Sequence, residues 1–111
     1  MPSLVVLVLH DLSHFDKVLD AWHRAGAPAV TILDSVGTRD LEERIGREDL
    51  PLFPSVRDVF QATDVPRKTV FSVVQDDRVD PIVNATLDVV PELRDGKKGI
   101  LFAIPVSRVV G

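Results

Sequence analysis

The chain has 111 residues and a mass of 12.2 kDa, room for one domain spanning residues 1–111. It is 45% hydrophobic and 27% charged, and 13 Lys+Arg against 17 Asp+Glu leave a net charge of −4, which excludes wholesale disorder and the basic stripe of a general nucleic-acid binder. The cysteine count is 0, so disulfide frameworks, thiol nucleophiles and cysteine metal sites are excluded as well.

Leu4-Val5-Val6-Leu7-Val8-Leu9 is a short apolar run, rich in β-branched residues, and reads as a buried strand. At six residues it is far too short to span a bilayer. The start also lacks a basic stretch and a small-residue cleavage site. The expectation is a cytoplasmic protein with no membrane insertion. Ser13 offers a helix N-cap, and Asp16 sets a carboxylate near the positive helix end. Phe15, Val18, Leu19 and Trp22 then follow at i, i+3, i+4 and i+7, one apolar helix face. Gly26 and Pro28 end that helix. Ala29 to Ser35 reads as a second strand.

Val36 to Arg67 has neither strand alternation nor a sustained helical face, and it is dense in charge. So long a loop is usually functional or mobile, and the stretch from about Arg39 to Asp64 is expected to be the least ordered internal part. Leu50-Pro51-Leu52-Phe53-Pro54 is a stiff apolar insert within it. Leu52 and Phe53 could anchor a partner protein or pack the loop back on its own assembly. Thr69 to Val74 reads as a third strand. Asp77 is placed to cap a second helix, with Pro81 in or near its first turn. Val79, Ile82, Val83, Leu87 and Val90 give this helix its apolar stripe, and Pro91 ends it. Asp95-Gly96-Lys97-Lys98-Gly99 is a basic turn, and Ile100 to Ile104 is the fourth strand.

The order β-α-β, long loop, β-α-β predicts an α+β ferredoxin-like fold. Its antiparallel sheet would carry both helices on one face. Several strands are apolar on both sides, and two helices cover only one. The other face is then an interface, and a homo-oligomer is expected.

The layout resembles the PII-like proteins, the trimeric relatives of nitrogen-regulatory PII. The resemblance runs from Leu4 to Val110. It rests on Asp16-x-Val18, Gly26, Thr31-x-x-Asp34-x-x-Gly37, Val65-Pro66-Arg67, Val73-Val74 with Asp77-x-Val79-Asp80, and Phe102-x-Ile104-Pro105-Val106. It implies a homotrimer whose sheets face a central axis. It also implies adenine-nucleotide binding in intersubunit clefts, and a long loop, about Val36 to Pro66, that contacts a regulated transporter or enzyme. By position, Thr31 and Gly37 fall on the base and ribose side, with Thr38 beside them. Arg67 falls where a basic residue reaches phosphate, and Gly96-Lys97-Lys98-Gly99 takes the place of the phosphate-cradling loop. The chain also departs from the family. Gly99 is followed by Ile100 where the family has Gly-Lys, and the chain given has no Arg-x-Arg pair after Arg108. No Gln lies between Val36 and Phe60, and there is no Tyr. Sensing of 2-oxoglutarate, uridylylation and tight ATP binding are therefore not expected.

On the residues alone, the 96–99 turn is either a solvated turn with two exposed lysines or an anion nest. His10, His14 and His23 do not have helical metal spacing, so no metal site is expected. The acidic pairs Glu42-Glu43, Glu48-Asp49 and Asp76-Asp77 sit in polar surroundings and read as solvated surface. No nucleophile elbow, Walker loop or dinucleotide motif occurs, and no enzyme activity is expected. Trp22 reads as core. Two other functions stay open: a ligand-free structural or assembly trimer, and a metal-binding trimer similar to the CutA proteins.

Overall fold

β1 (Pro2–Leu9) carries an alternation that its unbroken apolar run conceals. Ser3, Val5, Leu7 and Leu9 are buried, while Leu4, Val6 and Val8 between them are half-buried. Successive side chains of a strand point to opposite faces, so the run has one face in the core and a second that is apolar but open. The computed structural model describes residues 1–36 and 67–111. There β1 is followed by α1 (Phe15–Arg24), β2 (Thr31–Ser35), β3 (Arg67–Gln75), α2 (Asp76–Val89), a 3-10 turn (Pro91–Asp95) and β4 (Gly99–Pro105).

The four strands form one antiparallel sheet in the order β2-β3-β1-β4. This is the ferredoxin-like arrangement that the element order predicts. Val18 and Trp22 of α1 and Ile82 of α2 close over Val5, Leu7, Leu9, Val70 and Val74. Full burial of an aliphatic side chain contributes about 1.5–3 kcal/mol. The two helices are also tied by a buried bond: Trp22 Nε1–H donates to Thr86 Oγ1 at 2.8 Å. The Thr86 hydroxyl donates in turn to the Ile82 carbonyl at 2.7 Å. Trp22 is therefore core. Thr86 falls outside the predicted apolar stripe because a hydroxyl gives no hydropathy signal.

Several boundaries correct the sequence reading. Ser13 does not cap α1; its backbone N–H and hydroxyl both donate to Asp11 Oδ1, at 3.0 and 2.7 Å, and His14 precedes the helix without a side-chain cap. An Asx turn has captured the serine. Asp77 does not cap α2, which begins one residue earlier at Asp76. There the Asp76 N–H donates to the Met1 carbonyl, and the Asp76 carboxylate accepts from the Ser3 hydroxyl at 2.6 Å. Pro81 lies near the first turn of α2, as its sixth residue. β2 starts at Thr31, two residues later than expected, and a 3-10 turn follows α2.

Strand register fixes the composition of the open face, because residues directly opposite one another share a face. Leu4, Val6 and Val8 lie between Val73, Phe71 and Thr69 on one side and Ile104, Phe102 and Ile100 on the other. Ile100, Phe102 and Ile104 are 56%, 41% and 46% exposed. A contiguous apolar surface of this kind marks an interaction site. No helix among the described residues is long and apolar enough to cross a membrane.

Candidate anion site at one end of the sheet

The strand pairings bring four residues into a row at one end of the sheet. Ser35 ends β2 opposite Arg67, the first residue of β3. Lys68 lies opposite Leu9, which sets Arg67 beside His10. Leu9 lies opposite Gly99, and the His10 N–H donates to the Lys98 carbonyl at 2.8 Å. The row therefore reads Ser35, Arg67, His10, Lys98. With strands about 4.8 Å apart, it is roughly 14 Å long.

Arg67 Nη1 lies 3.2 Å from His10 Nε2. A guanidinium can only donate, so Nε2 accepts and the imidazole proton sits on Nδ1. Lys98 has a positive φ of 66°, and its Nζ lies 3.3 Å from both Asp11 and Glu92. The two Ser13 hydrogen bonds, with help from Lys98, lower the Asp11 carboxyl to about 2. Its own backbone N–H and then Lys98 lower Glu92, while the bonds to Asp11 and Glu92 raise Lys98. Lys98 is thus the hub of a three-member ion network that ties the 96–99 turn to the end of β1. Two carboxylates oppose its charge, so it offers less to an incoming anion than its sequence position implies. Lys97 is exposed, and its N–H donates to the Glu92 carbonyl.

The two glycines of the turn have different reasons to be glycine. Gly96 adopts φ 72° where the 3-10 turn ends, with open space where a Cβ would stand. Gly99 has φ 152°, and a Cβ there would lie 2.0 Å from the Val8 carbonyl oxygen. It is glycine because β4 approaches β1 closely.

Arg67, Gly96, Lys97, Lys98 and Gly99 all lie at this end of the sheet. Thr31 does not join them. It is opposite Phe71 on the open face, four residues before Ser35 and so about 13 Å along β2 at roughly 3.3 Å per residue. Gly37, Thr38, Leu52, Phe53, the acidic pairs at 42–43 and 48–49, and the stretch expected to be least ordered lie outside the described residues. Sequence reasoning missed Asp11 and Glu92. The Asp11-x-Ser13 turn signal could have found the first; nothing local links Glu92 to a lysine six residues on. His14 and His23 are exposed, and among the described residues no three His, Asp or Glu side chains gather to hold a metal ion.

No protein-family model matches the sequence, and no curated protein matches it. Among solved structures, the chain is similar to Arabidopsis thaliana PII bound to citrate, with a TM-score of 0.61 and 20% identity over 96% of this chain and 78% of that one. At that identity the likeness is one of fold: the architecture of this chain, a four-stranded antiparallel sheet with two helices, is similar to that of PII.

Proposed function

We propose that the chain is a PII-like regulatory protein that acts as a homotrimer in the cytoplasm. A small anion, an adenine nucleotide first among the candidates, binds in the clefts between subunits. The loop over residues 36–66 carries the bound state to a regulated transporter or enzyme. The observation that supports this reading is the row of Ser35, Arg67, His10 and Lys98, with the basic 96–99 turn, at one end of a PII-type sheet. The similar Arabidopsis protein was solved with citrate, itself a small anion. Glycine N–H groups, the exposed Lys97 and Arg67 supply the donors an anion needs. Binding then shifts the loop by the ligand's differential affinity for its two states.

With Ile100 in place of lysine, a charge-assisted contact of the family is missing. Such a contact is worth roughly 1.5–3 kcal/mol. A triphosphate should therefore bind weakly, and a monophosphate or citrate should compete with it. Calorimetric titration with AMP, ADP, ATP, cyclic AMP, a cyclic dinucleotide and citrate tests the reading. Saturable heat with at least one of them is the expected result. Heat from none of them contradicts ligand binding and favours a ligand-free assembly trimer. The engagement of Lys98 by Asp11 and Glu92, and of Arg67 by His10, gives that second reading its footing.

A further inference from the structure

The candidate anion site carries carboxylates of its own. Lys98 Nζ lies 3.3 Å from Asp11, just past β1, and 3.3 Å from Glu92 in the 3-10 turn. The backbone of Lys98 is pinned in place. It holds φ 66°, a region that few residues other than glycine adopt, and its carbonyl accepts the His10 N–H at 2.8 Å. Asp11 is fixed from its other side by the N–H and hydroxyl of Ser13. Any anion that reaches Lys98 therefore meets two carboxylates already at the ammonium group.

One cation against two carboxylates leaves this trio with a net negative charge. The side chains of Lys98, Asp11 and Glu92 are 35%, 38% and 42% exposed, so salt screens them less than fully solvated charges. Both carboxylates stay ionised at neutral pH. The bonds from Ser13, with help from Lys98, hold Asp11 at about 2, and Glu92 is lowered by its own backbone N–H and then by Lys98. A second lysine at this end of the sheet is offset as well, since Lys68 Nζ lies 2.6 Å from Asp34. Of the three lysines here, only Lys97 has no ion pair among the described residues. A turn that is basic in sequence is thus close to neutral in space.

We propose that Asp11 and Glu92 are the specificity-determining residues of this site: they compete with the ligand for Lys98 and select an anion of low charge, of the nucleoside monophosphate class, over a polyanion. The inference rests on the anion reading above and names what discriminates within it. Built-in like charge is a means of selection in its own right. It leaves contacts to the accepted ligand as they are and penalises the rejected one. The penalty grows with every negative charge that the ligand brings, because each is repelled by both carboxylates. A monophosphate meets it least, and the added phosphoryl groups of a triphosphate meet it again. Lys97 supplies the ammonium contact that the two carboxylates do not contest.

Asp11→Asn keeps an oxygen for the Ser13 turn, and Glu92→Gln keeps the shape of the side chain, so each removes charge with little else. AMP, ATP and citrate are titrated calorimetrically, without magnesium, into the parent, both single variants and the double variant. Each titration is run at low salt and at about 0.5 M salt. The parent should bind AMP in preference to ATP. At low salt the double variant should gain about threefold for AMP and about tenfold for ATP. Each single variant should fall between, so the outcome does not depend on the double variant folding. High salt should shrink these gains, as repulsion requires and a change of shape does not. ATP binding that appears only in the charge-neutral variants also supports the selection. A parent that prefers ATP, an ATP-to-AMP ratio unchanged in every folded variant, or heat from citrate alone overturns it while the anion reading stands. No heat from any of the three with the parent or any folded variant overturns both.

Discussion

Gly99 meets two demands at once: a φ of 152° and a backbone contact that leaves no room for a methyl group. Gly96 meets only the first. Gly99→Ala should therefore cost about 3 kcal/mol or more, the upper range for single substitutions. Gly96→Ala should cost only about 1–2 kcal/mol for the left-handed backbone. Chemical denaturation of the two variants measures both, and equal losses would contradict the close-approach account of Gly99. In the sequence, both residues read as parts of a phosphate-cradling turn. Nothing local in Gly-Lys-Lys-Gly tells a loop glycine from one pressed against a neighbouring strand, because that pressure comes from a pairing 90 residues away in the chain. The lysines divide in the same way. Lys97 is exposed, whereas Lys98 is held by Asp11 and Glu92. Lys97→Ala should weaken a bound nucleotide about tenfold, the loss of one charge-assisted contact. Lys98→Ala should weaken it less and lower the melting temperature more. Titration and thermal melting of both variants check the division, and the reverse order would contradict it.

The elements were legible where their pattern is hydrophobic. Phe15, Val18, Leu19 and Trp22 marked α1, and Val18 and Trp22 are buried where the spacing put them. The ends were less legible, because polar residues choose among partners that the sequence does not order. Ser13 stood three residues before a carboxylate and read as a cap, but the turn with Asp11 competes for the same hydroxyl and holds it. That turn, with Lys98 and Glu92, fastens β4's entry to β1's exit, and the fastening depends on pH in a defined direction. Asp11 is lowered from 3.8 to about 2, so its contribution is complete above pH 4 and is lost as pH falls through 2. Glu92 is also lowered and acts in the same direction. Lys98 is raised above 10.5, so its contribution is present below that value and is lost only in stronger alkali. Asp11→Ala should melt below the parent from pH 5 to 9, and the gap should close towards pH 2. A gap that stayed constant down to pH 2 would show that the carboxylate does not act through its charge.

At the scale of the whole molecule, strands apolar on both sides were the feature of the sequence that reached furthest. Leu4 to Leu9 looked continuous because each of its faces meets apolar surroundings. The helices cover one face, and Val6, Phe71 and Phe102 stand together on the other. The ligand stayed illegible for the opposite reason. Its charged contacts come from chain segments far apart in sequence, and on the proposed reading from two subunits. No spacing in one sequence records such a meeting. Everything proposed about the site depends on the open face being covered by further copies. Multi-angle light scattering at micromolar concentration, run beside Val6→Glu, tests that dependence directly. A parent species three times the mass of the 12.2 kDa chain, falling to a single chain in Val6→Glu, is the predicted result. A parent that runs as a monodisperse single chain would contradict it.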